Sequence, residues 1–111
     1  GMVKLLVVNL NAYEARNGIL LIDEIDNGLH HSSLGLLWKS LIRSAVNYDV
    51  QIVATTHSYE CIKALVDSSE GESMGNLIRV FRTEMADDKI NVKAFDRDAL
   101  TRFIEREWEV R

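Results

Sequence analysis

Two acids in succession, Asp23 and Glu24, close the apolar run Ile19-Leu20-Leu21-Ile22. Further along, Val53-Ala54-Thr55-Thr56 runs into His57 and Ser58. Carboxylates at the mouth of a strand suit hydrolysis of a phosphoanhydride. One can hold a magnesium ion through water. Its neighbour can orient or deprotonate an attacking water. A histidine at the next strand end can donate to a terminal phosphate and stabilise the charge developing there. Taken singly, Asp23-Glu24 also reads as a solvated strand end, and His57 as a satisfied structural histidine. Their placement at the ends of two consecutive strands is the more specific signal.

The elements that must position these residues are legible in the apolar pattern. Over 3–15, Val3, Leu6, Val7, Leu10 and Tyr13 recur at helical spacing, with a strand over 4–10 as the alternative. Asn17-Gly18 stops that element. Ile19-Leu20-Leu21-Ile22 predicts a short strand buried on both faces, as in a parallel sheet. Ser32 or Ser33 can cap a helix that buries Leu34, Leu37, Trp38, Leu41 and Ala45 and ends at Asn47-Tyr48-Asp49. A second strand is expected over 51–56, then a helix capped by Ser58 and running to about residue 66. Residues 67–73 read as an exposed loop. Residues 76–83 and 89–95 alternate and predict a hairpin across a loop at 84–88. Asp96 would cap a last helix over 99–108. The strand–helix–strand unit between 19 and 56 implies a right-handed parallel crossover. Ligands in open α/β sheets sit at the carboxyl ends of the strands. Asp23, Glu24 and His57 are therefore expected to converge on one crevice.

With 111 residues, 47% of them apolar, the chain suits one packed domain over 1–111. A net charge of −4 argues against a nucleic-acid surface of its own, which would leave a basic footprint. No run of about 18 apolar residues marks a membrane span, and the opening residues lack the pattern of a signal peptide. Cys61 is the single cysteine, so no internal disulfide is expected and a reducing, cytoplasmic setting fits. Gly1 reads as a scar of tag removal and Met2 as the native start.

The string Ile19-Leu20-Leu21-Ile22-Asp23-Glu24-Ile25-Asp26-Asn27-Gly28-Leu29-His30 resembles the Walker B strand and D-loop of ABC-type P-loop ATPases. It is most similar to the overcoming-lysogenization-defect and RecF-like branch, and Val53-Ala54-Thr55-Thr56-His57-Ser58 resembles that branch's switch-histidine segment. The resemblance implies a partial P-loop NTPase-like α/β fold: a small mixed sheet of two parallel strands plus a C-terminal hairpin, with flanking helices. It implies Asp23 as the magnesium-associated acid, Glu24 as the catalytic base and His57 as the γ-phosphate contact. Asn27, Gly28, Leu29 and His30 would form the loop that crosses between two ATPase heads. ATP and Mg2+ would be the cofactors of the complete domain. The partner would be a second copy or a complementing ATPase half, with no membrane, and with nucleic acid only through a larger assembly.

The likeness covers only the second half of the family's domain. Nothing in the sequence matches G-x-x-x-x-G-K-[ST], and none of the six glycines precedes Lys-Ser or Lys-Thr. Without backbone amides and a lysine to cradle phosphates, the chain alone is expected to be a very poor ATPase and to hold nucleotide weakly or not at all. Ile25 and His31 replace prolines usual in the family, and Asp26 replaces a frequent Glu. The missing strand should leave a gap in the sheet, or an exposed edge beside 51–56 that invites pairing. Three rival readings stand beside this one. His30, His31, His57, Asp23 and Asp26 could ligate a metal, though their spacing matches no common set. Asp96-Arg97-Asp98 superficially matches an acid pair of a nuclease, but reads better as a helix start. A non-enzymatic interaction module is the third, with Glu105-Arg106-Glu107-Trp108-Glu109 as its contact surface.

Overall fold

The computed structural model describes residues 2–69, 78–95 and 97–110. Residues 70–73 of the expected loop, residues 76 and 77 of the expected strand, and the cap at Asp96 lie outside the described residues, as does the Trp108 side chain. Contacts gather into two compact units, Gly1–Ser68 and Ser69–Arg111.

The first unit opens with helix α1 (Met2–Glu14), which resolves the helix-or-strand alternative. Strand β1 (Ile19–Ile22) follows, then a 3-10 turn over His31–Ser33, helix α2 (Leu34–Tyr48), strand β2 (Gln51–Ala54) and helix α3 (Tyr59–Ser68). The strands are parallel, with Ile19 opposite Gln51 and Ile22 opposite Ala54. Helix α2 packs against both α1 and α3. Its stripe buries Leu34, Leu37, Trp38 and Leu41 as the spacing predicts, with Ser44 rather than Ala45 completing it. Ser33 sits at the α2 N-cap but makes no side-chain capping bond. Ser58 does cap α3, accepting from the Cys61 N–H at 3.2 Å. The C-terminus of α2 stops where Asp49 turns left-handed at φ 52°.

The core joins Val8 of α1, Ile25, the α2 stripe and Cys61, with Ile22, Ile52 and Ala54 packed against it from the strands. The Trp38 Nε1–H spans from α2 to α3 by donating to the Cys61 carbonyl at 2.9 Å. All the helical packing thus meets one face of the two-stranded sheet. The expectation of a strand buried on both faces is corrected here: Ile19 is 61% exposed and Leu21 72% exposed, with Val53 beside them at 47%. The apolar run is right for a two-sided strand, but no element of this unit lies over its second face.

The second unit holds a hairpin of β3 (Val80–Ala86) and β4 (Lys89–Phe95), then helix α4 (Arg97–Val110). The loop expected at 84–88 shrinks to Asp87-Asp88, because Ala86 already pairs with Lys89. Both turn residues have positive φ, 52° and 61°, the geometry of a tight primed turn. Register places Phe81, Met85, Ile90 and Val92 on one face, all of them exposed. Helix α4 packs on β4 and buries Leu100 and Ile104, one turn apart. The expected single mixed sheet is therefore two separate sheets, β1-β2 and β3-β4, because no described strand pairs with the outer edge of β2. No helix among the described residues is long and apolar enough to cross a membrane.

Candidate functional site

Two threonines tie the ends of β1 and β2 together. Since Ile22 pairs with Ala54, the parallel register sets Asp23 level with Thr55. The Thr55 hydroxyl donates to Asp23 Oδ1, and the same oxygen accepts from the Glu24 N–H at 2.8 Å. The Thr55 main chain adds two bonds: its N–H donates to the Ile22 carbonyl, and its carbonyl accepts from the Ile25 N–H, each at 2.9 Å. Thr56 repeats the pattern one residue on. Its hydroxyl donates to Asp26 Oδ1 at 2.6 Å and accepts from the Ser58 N–H at 3.0 Å. Each hydroxyl thus uses both its donor and an acceptor site.

Between the two tied acids, the chain makes an unusual move. Glu24 lies in the left-handed region at φ 48°, a conformation that costs a residue with a side chain about 1–2 kcal/mol. Ile25, which stands where the resembled family has proline, drops into the core with no exposed surface. That anchor fixes the acids on either side of it. Asp23 and Glu24 are exposed, and Asp26 is half-buried.

The chain then leaves β1 through consecutive turns. The Asn27 N–H donates to the Glu24 carbonyl at 2.9 Å, and the Leu29 N–H to the Asp26 carbonyl at 3.1 Å. Gly28, at φ 79°, holds the third place of the second turn, where a type II turn demands glycine. The Lys4 ammonium from α1 donates to the Asn27 carbonyl. The His30 Nδ1 accepts from the Ser32 N–H at 3.3 Å and lies 2.9 Å from the Ser32 hydroxyl, capping the 3-10 turn. An Nδ1 that accepts leaves its proton on Nε2. The His30 and His31 rings lie 4.1 Å apart.

The structure therefore brings Asp23, Glu24 and Asp26 together around Thr55 and Thr56. His57 is exposed and makes no hydrogen bond among the described residues. A shallow, open depression is lined by Asp26, Leu29, His31, Leu34, Ser58 and Glu60. None of Asp23, Glu24 and His57 lines it, so the three residues best suited to hydrolysis stand on open surface beside it. No three His, Cys, Asp or Glu side chains among the described residues gather as a metal cage. One carboxylate oxygen of Asp23 is taken by Thr55. The described residues offer no lysine-bearing loop for phosphates. Under this site, burial pushes the Cys61 thiol above its ordinary range, partly offset by a hydrogen bond with Thr56.

Thr55 and Thr56 carry no assigned role in the sequence reading. Their signal was present: two hydroxyls at the end of one strand, in parallel register with two acids at the end of its neighbour.

The family model described as "AAA domain, putative AbiEii toxin, Type IV TA system" matches residues 1–62. An uncharacterized protein of Methanocaldococcus jannaschii is 36% identical over 83 residues, covering 74% of this chain and 73% of that protein. A solved chain from "Structural biochemistry of ATP-driven dimerization and DNA stimulated activation of SMC ATPases" shares the fold over 79% of this chain, with TM-score 0.55 and 14% identity. This chain spans 46% of that one, less than half its length. These likenesses make the chain a P-loop ATPase-related α/β domain.

Proposed function

This chain belongs to the AAA-domain family of the AbiEii and type IV toxin–antitoxin description, and from that premise we propose that it is the acid-bearing half of an ATP-hydrolysing site of the ABC type. In this reading it lies nearest the overcoming-lysogenization-defect and RecF-like branch. Asp23 would hold magnesium, which would supply charge neutralisation at the phosphates when bound. Glu24 orients and deprotonates the attacking water. His57 donates to the terminal phosphate. Asn27, Gly28 and His30 form the loop that meets a second ATPase head.

The observation that supports this best is the shared Thr55 hydroxyl, which holds the Asp23 carboxylate and the Glu24 backbone at once. A merely solvated strand end has no need of such a clasp, nor of the left-handed backbone at Glu24. The sequence holds no G-x-x-x-x-G-K-[ST], so the phosphates must be cradled by another segment or chain. Hydrolysis accordingly belongs to an assembly: a homodimer or a complementing half, in the cytoplasm, reaching nucleic acid only through that assembly. The family's description names a type IV toxin–antitoxin system, which supports a toxin–antitoxin setting in this reading. A second reading, an interaction module without catalysis, is favoured by the bare apolar faces of both sheets.

Titration with manganese, followed by water-proton relaxation, tests the acid assignment on the full chain. Weak binding is expected, lost in Asp23→Asn and kept in His57→Ala. Equal binding by Asp23→Asn would remove Asp23 from this role. Calorimetry with magnesium–ATP should give no measurable heat for the chain alone. Tight binding there would overturn the need for an outside cradle.

A further inference from the structure

His57 is exposed and makes no hydrogen bond among the described residues, so its backbone decides where its ring is carried. One side chain brackets that backbone. The Thr56 hydroxyl reaches past His57 to accept from the Ser58 N–H at 3.0 Å, which closes a turn with His57 at its centre. The same hydroxyl donates across to Asp26 Oδ1 at 2.6 Å, and the Cys61 thiol hydrogen-bonds with the same side chain. A carboxylate acceptor makes the Asp26 bond stronger than one between neutral groups. Threonine is stiff about χ1, so these partners fix its rotamer and, through it, the turn.

Helix α3 does not need this arrangement to start. Ser58 already caps it with its own hydroxyl, and the Ile62 N–H donates to the Ser58 carbonyl at 3.3 Å. Thr56 lies outside the helix, two residues before the cap. What it adds is a tie to the other strand end. Asp26 stands at the head of the loop over 27–30, and its carbonyl accepts from the Leu29 N–H in the turn that Gly28 completes. Ile25, just before it, sits in the core with no exposed surface. Asp26 therefore holds the loop by its carbonyl and the His57 turn by its carboxylate.

We infer that Thr56 is a positioning residue: anchored on Asp26, it aims His57 and makes His57 move with the loop over 27–30. The inference rests on the reading above for what His57 touches, a terminal phosphate; the linkage itself lies within this chain. The two threonines then divide the work. Thr55 sets the acids Asp23 and Glu24, and Thr56 sets the histidine. A contact that displaces the loop displaces His57 with it.

Nuclear magnetic resonance of the full chain, without nucleotide or metal, tests this. Gly28→Ala probes the loop: a Cβ there meets nothing within 4 Å, yet a φ of 79° is unfavourable for alanine, so the loop is disturbed without a clash. It should displace the His57 ring resonances. Thr56→Val keeps the branched shape and removes the hydroxyl. The Ser58 amide should then exchange roughly fivefold faster, and Gly28→Ala should no longer move His57. Thr56→Ser should restore both. If Thr56→Val loses its far-UV circular dichroism, Asp26→Ala breaks the same bond from the other side and should abolish the response equally. A His57 that answers Gly28→Ala as strongly in the Thr56→Val or Asp26→Ala background overturns the inference. So does a His57 that answers in no background, or a Thr56→Ser that fails to rescue. Manganese binding is a separate readout of the acids. Its absence with the linkage retained strikes the proposed acid site, and its presence with the linkage lost strikes the role of Thr56.

Discussion

Glu24 holds a backbone conformation that glutamate does not choose. Its φ of 48° is the kind that glycine adopts freely. Glu24→Gly should therefore raise stability, by about 0.5–1 kcal/mol in urea denaturation, while removing the acid. A chain that gives up stability to keep an acid is what a working site leads one to expect; a loss of stability in this variant would argue that Glu24 is a structural residue. Cys61 makes a second case at this scale. It is fully buried, and burial raises its thiol pKa above the ordinary value. A raised folded-state pKa favours the protonated thiol in the folded chain. Its contribution to stability is whole below the unfolded thiol's pKa and is lost as pH climbs through the folded one. Cys61 should react with a disulfide reagent only after denaturant is added, and Cys61→Ala should flatten the alkaline fall in melting temperature. The placing of the acids at a strand end was legible in the sequence because the apolar run before them marks it. The clasp by Thr55 was not, because it depends on Ile22 lying opposite Ala54, and register is a property of the pair of strands.

At the scale of elements, periodicity did most of the work. The stripe of α2 was legible because Leu34, Leu37, Trp38 and Leu41 repeat at helical spacing and face one core. Leu37 has no exposed surface, so Leu37→Ala should cost about 2–5 kcal/mol in chemical denaturation. The hairpin was legible as a pair of alternating runs, but its turn was placed too wide. Charged residues read as loop, whereas Glu84 pairs with Asn91 inside the ladder, beside Arg82 and Lys93. The true turn, Asp87-Asp88, asks two aspartates to hold positive φ. Asp88→Gly should relieve this and raise the stability of the hairpin by roughly 0.5–1 kcal/mol, read from slower amide exchange over 80–95.

For the molecule as a whole, what escaped the sequence is coverage. Ile19 and Leu21 are as apolar as any two-sided strand requires. Nothing in those letters says whether a second layer exists to meet them. The chain spans 46% of the solved ATPase chain whose fold it shares. The open stripe of α1 carries a thermal consequence. Any contact made along it rests on freeing water from exposed Val3, Leu6 and Leu10, and that driving force weakens on cooling. Association that uses this stripe should tighten as the solution warms and loosen near freezing, with a negative heat-capacity change in dilution calorimetry. A sample handled and sized cold would then show less association than the same sample measured warm.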